Sequence, residues 1–297
     1  MRRDMTEYII DAEGIVVKFG DFTAVNGIDV KVEAGKIYGF LGPNGAGKTT
    51  TVKVLTTMMR PTEGAVSIGG HPANKEPREA RDLIGVVQQH IALDKDISVR
   101  ENIICRAVLH KIPRKEIDVR MNELAETIGL TPYLDKIVGD LSGGWKRKVA
   151  ILCALMHSPK VLFLDEPTAG LDTQSRHMLW EMIRQMNKMG TTVFLTTHYM
   201  DEAESLCDVV SIIDKGRIKE TGTPRELCAR TGQWTVEYDS DDGKKKYGFF
   251  SDWNDAQSFA SQVSEHDPTV RRTHLEDVFL EETGRDNMKV TEKRLKI

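Results

Sequence analysis

The chain is 297 residues long, 40% apolar and 29% charged, the balance of a folded globular protein with ample side chain for a core. That composition excludes collagen-like, disulfide-stapled and wholly disordered architectures. Forty-one basic residues against 45 acidic ones leave a formal charge of -4, and the runs Arg2-Arg3, Lys244-Lys245-Lys246 and Arg271-Arg272 read as solvated charge, so nucleic acid is not an expected partner.

The longest strongly apolar helical stretch, residues 149–156, falls well short of the roughly 18 residues a bilayer demands. The opening Met1-Arg2-Arg3-Asp4-Met5 leads into no apolar segment. A chain that stays on the side of the membrane where it is made is therefore expected. Cys105, Cys153, Cys207 and Cys228 form no Cys-x-x-Cys pair and read as reduced structural thiols of the cytosol.

In chain order, the first forty residues read as a few short strands broken by turns at Gly20-Asp21 and Glu33-Ala34-Gly35. Lys36-Ile37-Tyr38-Gly39-Phe40-Leu41 is then a buried strand running into the tight loop Gly42-Pro43-Asn44-Gly45, and Val52, Leu55 and Met59 follow at helical spacing. From about residue 72 to 156 the pattern is mainly helical. Ser98-Val99-Arg100-Glu101 has the spacing of a capping box, and a second helix starts near Pro113, with Gly129 at its end. Afterwards strand and helix alternate. Val161-Leu162-Phe163-Leu164 is a continuous apolar run, Leu179, Met182, Ile183 and Met186 line a helix that stops at Gly190, and residues 191–197 are rich in β-branched side chains. Such alternation implies an α/β fold with parallel strands covered by helices.

Near Thr223-Pro224 the character changes. Ser240-Asp241-Asp242-Gly243 between two β-rich runs signals a hairpin, Ser251 reads as the cap of a helix through Val263, and Thr273-His274-Leu275-Glu276 reads as a capping box before a short helix. Residues 228–285 are expected to form a small α+β appendage, and residues 286–297 a frayed tail.

Three motifs carry chemistry. Gly42-Pro43-Asn44-Gly45-Ala46-Gly47-Lys48-Thr49 fits the phosphate loop (Walker A) pattern G-x-x-x-x-G-K-[ST]. Its glycines let backbone N–H groups cradle phosphate oxygens at a helix start, Lys48 reaches the β and γ phosphates, and Thr49 can ligate Mg²⁺. The apolar strand ending in Asp165-Glu166 delivers two carboxylates to the edge where open α/β sheets bind ligands. Asp165 suits the Mg²⁺ shell, and Glu166 suits a general base that polarises water. Leu141-Ser142-Gly143-Gly144 offers a hydroxyl and two bare N–H groups at another helix start, a second anion site; standing alone it would read as a plain serine cap.

A phosphate loop, Leu-Ser-Gly-Gly, a strand ending in Asp-Glu, then Ala169-Gly170-Leu171-Asp172 and His198 in unbroken order over roughly residues 8–225 resembles the ATP-binding-cassette (ABC) ATPases. The resemblance implies a P-loop NTPase fold: an ABC-type core with a mostly parallel sheet, an antiparallel β subdomain and a helical subdomain at about residues 90–157, together residues 1–227. It implies ATP and Mg²⁺ as ligands, with Gly42 through Thr49 and Thr50 on the nucleotide. Gln89, with Gln88 as the neighbouring alternative, falls at the glutamine that touches Mg²⁺ and the attacking water. His198 matches the switch histidine on the γ-phosphate, and Asp172 the loop joining two sites. Phe19 matches the aromatic that stacks on adenine, with Phe22 as the fallback. The signature usually continues with glutamine, where this chain has Trp145, a change expected to leave phosphate recognition by Ser142, Gly143 and Gly144 intact and to alter the rate or the dimer seam.

In that family two cassettes pair head to tail, each ATP lying between one phosphate loop and the other subunit's signature. The resemblance thus implies an ATP-dependent homodimer, peripheral on the cytoplasmic side of the membrane, docked on separate integral permease subunits. The His274-Leu275-Glu276-Asp277-Val278-Phe279-Leu280 run and the appendage look like cassettes of multidrug or antibiotic-resistance exporters paired with ABC-2-type permeases. The alternatives are an importer ATPase, a soluble cassette that remodels ribosomes or DNA, and a P-loop small-molecule kinase. The soluble cassette would usually bring a second phosphate loop or a long coiled coil; the kinase would leave Leu141-Ser142-Gly143-Gly144 and His198 without a role.

Overall fold

A computed structural model describes residues 8–241 and 243–284. The N-terminal residues 1–7, Asp242 of the expected hairpin and the expected tail 286–297 lie outside the described residues. The chain runs β1 (Tyr8–Phe19), β2 (Phe22–Glu33), β3 (Ile37–Leu41), α1 (Lys48–Leu55), β4 (Glu63–Ile68), β5 (His71–Pro72), α2 (Pro77–Asp82), β6 (Ile84–Val87), α3 (Val99–Leu109), α4 (Arg114–Thr127) and α5 (Gly143–Leu155). It continues with β7 (Val161–Asp165), α6 (Thr173–Lys188), β8 (Thr192–Thr197), α7 (Met200–Leu206), β9 (Val209–Asp214), β10 (Arg217–Gly222) and α8 (Pro224–Thr231). The last elements are β11 (Trp234–Asp239), β12 (Lys245–Phe250), α9 (Trp253–Gln262), β13 (Thr269–Arg272) and α10 (Leu275–Thr283).

The central sheet has the order β10-β9-β3-β8-β7-β6, parallel throughout except for β10. Every residue of β3, β7 and β8 is buried, as strands covered on both faces must be. Their alternation divides the core. Ile37, Leu41, Leu162, Leu164, Val193 and Leu195 point to one side and join α3 to α7, whereas Tyr38, Phe40, Val161, Phe163 and Phe194 point to the other. There the rings of Phe40 and Phe163 lie 5.7 and 5.4 Å from that of Phe194, and α1 and the inner face of the antiparallel sheet β2-β1-β4-β5 close over them. Truncating Phe163 to Ala in such a site costs about 3–5 kcal/mol.

Several local expectations need correction. The first forty residues form two twelve-residue strands rather than short ones, because bulges between Ala12 and Val16 let one long hairpin curve over the core without ending. The stretch read as mainly helical contains β6, too short to announce itself beside its helices. Helix α9 is capped by Asp252, not Ser251, and the box before α10 is built by His274 and Asp277, one residue beyond the expected pair. The expected box at Ser98 and Glu101 is present.

The sheet β12-β11-β13 and α9 have a small core of their own around Val236, Phe250, Ala256 and Ala260. Leu275, Val278 and Phe279 of α10, with Leu227 of α8, belong instead to the large core around α5 to α7. Asp277 stitches the two together. It is fully buried, accepts both Arg271 nitrogens (2.6 and 2.9 Å), and takes further hydrogen bonds from the Thr235 hydroxyl and the His274 N–H. Among the described residues no helix is long and apolar enough to cross a membrane.

Candidate functional site

Strands β3, β7 and β8 end side by side, and the loops after them form one cluster. The phosphate loop turns back at Gly45 and Gly47, both in the left-handed region (φ 81° and 107°). A Cβ on Gly42 would stand 2.3 Å from the Ile213 carbonyl oxygen and one on Gly47 2.7 Å from that of Ala24, so both positions require glycine. Helix α1 begins at Gly47 without a side-chain cap, leaving its first N–H groups for a ligand. Asn44, Gly45 and Thr49 are exposed at this turn; Pro43 and Thr50 are half-buried and Ala46 is buried.

Lys48 is 5% exposed. Its Nζ donates to the Gly42 carbonyl at 2.7 Å and lies 3.3 Å from Glu166 Oε1. Asp165 Oδ1 accepts from the Thr196 hydroxyl at 2.6 Å and faces the Thr49 hydroxyl at 3.5 Å. Glu166 sits one residue past its strand with φ 47°, a left-handed conformation that costs a non-glycine residue about 1 kcal/mol or more. Its N–H is held by the backbone and side-chain oxygens of Thr196 at 3.1 and 3.0 Å, and this turn aims the carboxylate back across the strand ends.

Three groups converge on that carboxylate. Besides Lys48, the Gln89 amide donates to Oε2 at 3.2 Å, and His198 Nδ1 stands 3.3 Å from the same oxygen, without the alignment of a hydrogen bond. Gln88 turns away to Met58, so of the two adjacent glutamines it is Gln89 that reaches the cluster. The Phe19 and Phe22 rings are 50% and 64% exposed at the tip of the β1–β2 hairpin, whose strand β2 abuts the phosphate loop at Ala24.

The oxygen donors of Thr49 and Asp165 suit a hard cation such as Mg²⁺. Among the described residues no group of three or more His, Cys, Asp or Glu side chains is placed to hold a metal ion.

Leu141, Ser142, Gly143, Gly144 and Trp145 form a separate group. Ser142 has N-cap dihedrals (φ -64°, ψ 163°), yet its hydroxyl makes no cap hydrogen bond, and Ser142 and Gly143 are exposed. The hydroxyl and the first helical N–H groups beside it are left without a side-chain cap bond at an exposed Ser142-Gly143, an arrangement open to an anion. Behind them, a Cβ on Gly144 would meet the Ser175 hydroxyl at 2.9 Å. Asp172 caps α6 by accepting from the Ser175 N–H and hydroxyl at 2.9 and 2.7 Å, and these bonds hold its carboxyl below the usual range. The Trp145 ring stacks on Tyr133 at 4.0 Å and under Lys148 at 4.6 Å.

One residue escaped the sequence reading. Arg147 of α5 is 4% exposed and donates to the carbonyls of Gln88 and Gln89 at 2.9 and 3.2 Å, so the signature helix holds the segment that carries Gln89. Burial pushes its guanidinium down, with the Asp165 charge opposing. The signal was there: Gly144, Arg147, Ile151 and Ala154 share a buried stripe at helical spacing, and a cation on such a stripe needs buried acceptors.

These features define an ATP-hydrolysing cassette. A family model described as ABC transporter matches residues 25–169. The chain is 38% identical over 296 residues to Nod factor export ATP-binding protein I of Burkholderia lata, covering 93% of this chain and 97% of that protein. It is 41% identical over 228 residues to the daunorubicin resistance ATP-binding protein DrrA3 of Streptomyces coeruleorubidus, covering 77% and 72%. Among solved structures, cbiO1 of Clostridium perfringens, part of the ABC transporter complex cbiONQ, superposes with a TM-score of 0.70 at 32% identity over 75% of this chain and 91% of that one. The chain belongs to the ABC transporter family, as an ATP-binding and ATP-hydrolysing subunit of the exporter kind.

Proposed function

We propose that two copies of this chain close head to tail on ATP and power export through separate integral permease subunits at the cytoplasmic face of the membrane. The observation that carries this reading is the convergence of Lys48, Gln89 and His198 on Glu166 beside an uncapped helix start. The relatives' names, Nod factor export and daunorubicin resistance, favour a cargo of the drug, antibiotic, lipid or polysaccharide kind. Residues 1–227 act as the ATPase and residues 228–285 as an attached α+β unit.

Gly42 to Thr50 wrap the phosphates, and an exposed ring at Phe19 stacks on the base. Thr49, Asp165 and Gln89 would hold Mg²⁺, which supplies charge neutralisation on the phosphate oxygens when bound. Phosphate draws Lys48 from Glu166, and the freed carboxylate takes a proton from the attacking water while Gln89 orients it. His198 donates to the γ-phosphate, and Ser142, Gly143 and Gly144 of the second copy complete the charge-stabilising shell, with Asp172 at the seam.

Glu166→Gln should retain ATP affinity and trap a dimer while turnover drops about 100-fold or more, read by phosphate release and by gel filtration with ATP. Turnover near the parental rate would overturn the assignment.

A further inference from the structure

Glu202 lies fully buried in the first turn of α7, four residues beyond His198. Its Oε1 accepts from Trp180 Nε1 at 3.1 Å, while Oε2 has no hydrogen-bond partner. Burial pushes its carboxyl up, opposed by the hydroxyls of Thr197 and Thr168, the Trp180 N–H and the Arg176 charge. The Thr168 hydroxyl is buried and likewise without a hydrogen-bond partner. Its neighbours in sequence on α7, Ala203 and Leu206, and those flanking Trp180 on α6, Leu179 and Ile183, belong to the large apolar core. A leucine or methionine there would avoid the cost of burying a polar group, so packing does not account for the carboxyl.

Its neighbours do. Thr168 is two residues past Glu166, Thr197 directly precedes His198, and Trp180 belongs to α6, the helix capped by Asp172. Arg176, one turn before Trp180, reinforces the same junction by pairing with Asp201 and lying over the Tyr199 ring at 4.9 Å. The start of α7, just past His198, is thus tied to α6 by the Trp180–Glu202 hydrogen bond and by Arg176 on Asp201 and Tyr199.

We propose that Glu202 is a positioning residue for ATP hydrolysis, holding α7 and the His198 turn that leads into it against α6 through its hydrogen bond to Trp180. This rests on the reading of Glu166 and His198 as catalytic. Glu202 presents an acceptor oxygen to the indole N–H. A glutamine reproduces that pattern and a leucine does not.

The test is steady-state phosphate release by the full chain with Mg²⁺ and ATP, alongside binding of the fluorescent analogue TNP-ATP. For Glu202→Leu, kcat should fall about tenfold or more with KM and TNP-ATP affinity within about twofold of the parent, since displaced catalytic groups slow turnover without touching the phosphate loop. Glu202→Gln should restore kcat to within about threefold of the parent. Trp180→Phe keeps the ring, removes the N–H, and should lower kcat severalfold; combined with Glu202→Leu it should add nothing. Parental kcat in Glu202→Leu overturns the proposal, as does a glutamine variant as slow as the leucine one. Should Glu202→Leu fail to fold, Trp180→Phe decides, and parental kcat there overturns it. Glu166→Gln separates the two readings. If it still turns over ATP, the catalytic reading falls; if it is inactive while Glu202→Leu is not, only the positioning role does.

Discussion

The two helix starts proposed to bind phosphate, those of α1 and α5, are built in opposite ways. At α1 the glycines, Lys48 and Glu166 are locked among themselves, with Lys48 5% exposed and paired to backbone and carboxylate in the same subunit. At α5 Ser142 is exposed, its hydroxyl makes no cap bond, and no hydrogen bond or ion pair among the described residues ties Leu141 to Trp145 to the phosphate loop. One half-site is assembled by folding; the other is presented outward. In the proposed dimer a second copy brings the missing half, which is how nucleotide binding can be made to depend on closure.

That contrast breaks most sharply at Lys48. Lys48→Ala removes the cation proposed to meet the phosphates and takes from buried Glu166 the ammonium 3.3 Å away, so both ATP affinity and turnover should collapse, with phosphate release down about 1,000-fold. Ser142→Arg attacks the outward half instead. It should leave TNP-ATP binding to the single chain within about twofold and cut turnover about 100-fold, because the bulk stands only at the seam. Mixing the two variants sharpens the comparison, since a mixed dimer keeps one intact composite site. Recovery of phosphate release on mixing supports the divided site, and none at any ratio counts against it.

Arg147 tests the connection between the halves within one subunit. Arg147→Ala removes the donor to the Gln88 and Gln89 carbonyls at a part-buried place, a loss of about 1 kcal/mol in stability by denaturant titration. Turnover should fall about tenfold as the Gln89 segment loosens. If turnover holds while stability drops, the contact serves the fold alone.

How much of this was legible follows the same division. The inward half was written in contiguous residues: a loop that needs glycine at Gly42 and Gly47, and a buried strand with Asp165 and Glu166 at its end. Asp165 and Glu166 lie far from Lys48 in the chain, yet strand order alone brings them together. What stayed hidden depends on tertiary contact. The φ of Glu166 is set by Thr196 from the neighbouring strand, and Arg147 matters through carbonyls 58 and 59 residues away. The box before α10 was misread by one residue because Asp277 is recruited by Arg271 and Thr235, partners no local pattern announces.

Trp145 gives a smaller effect, and one opposite in kind to Ser142. Its half-buried ring is stacked on Tyr133 and lies under Lys148 of the same chain. Trp145→Gln should therefore cost about 1–2 kcal/mol of stability and leave turnover within about threefold, because the outward N–H groups belong to the backbone. A fall beyond tenfold would place the indole in the seam itself.

The smallest effect concerns pH, at the back of α5. His110 and His157 stack with centroids 3.9 Å apart and planes within 1°, and His157 Nε2 donates to the Ile84 carbonyl at 2.9 Å. Burial holds both imidazoles below the ordinary 6.5, helped by Arg106 at His110 and by the ring pair itself at His157, with Asp82 opposing at each. The folded chain therefore binds fewer protons than the unfolded one just below pH 6.5, and stability must fall as pH drops through that window. It is fully present above about 6.5 and lost progressively below, until the folded pair also titrates. Both rings are partly exposed, so the melting temperature should shift by only about 1–2 °C between pH 7.5 and 5.5. His110→Phe keeps a ring in the stack without its proton and should flatten that slope. An unchanged slope in the variant would assign the acid sensitivity to other groups.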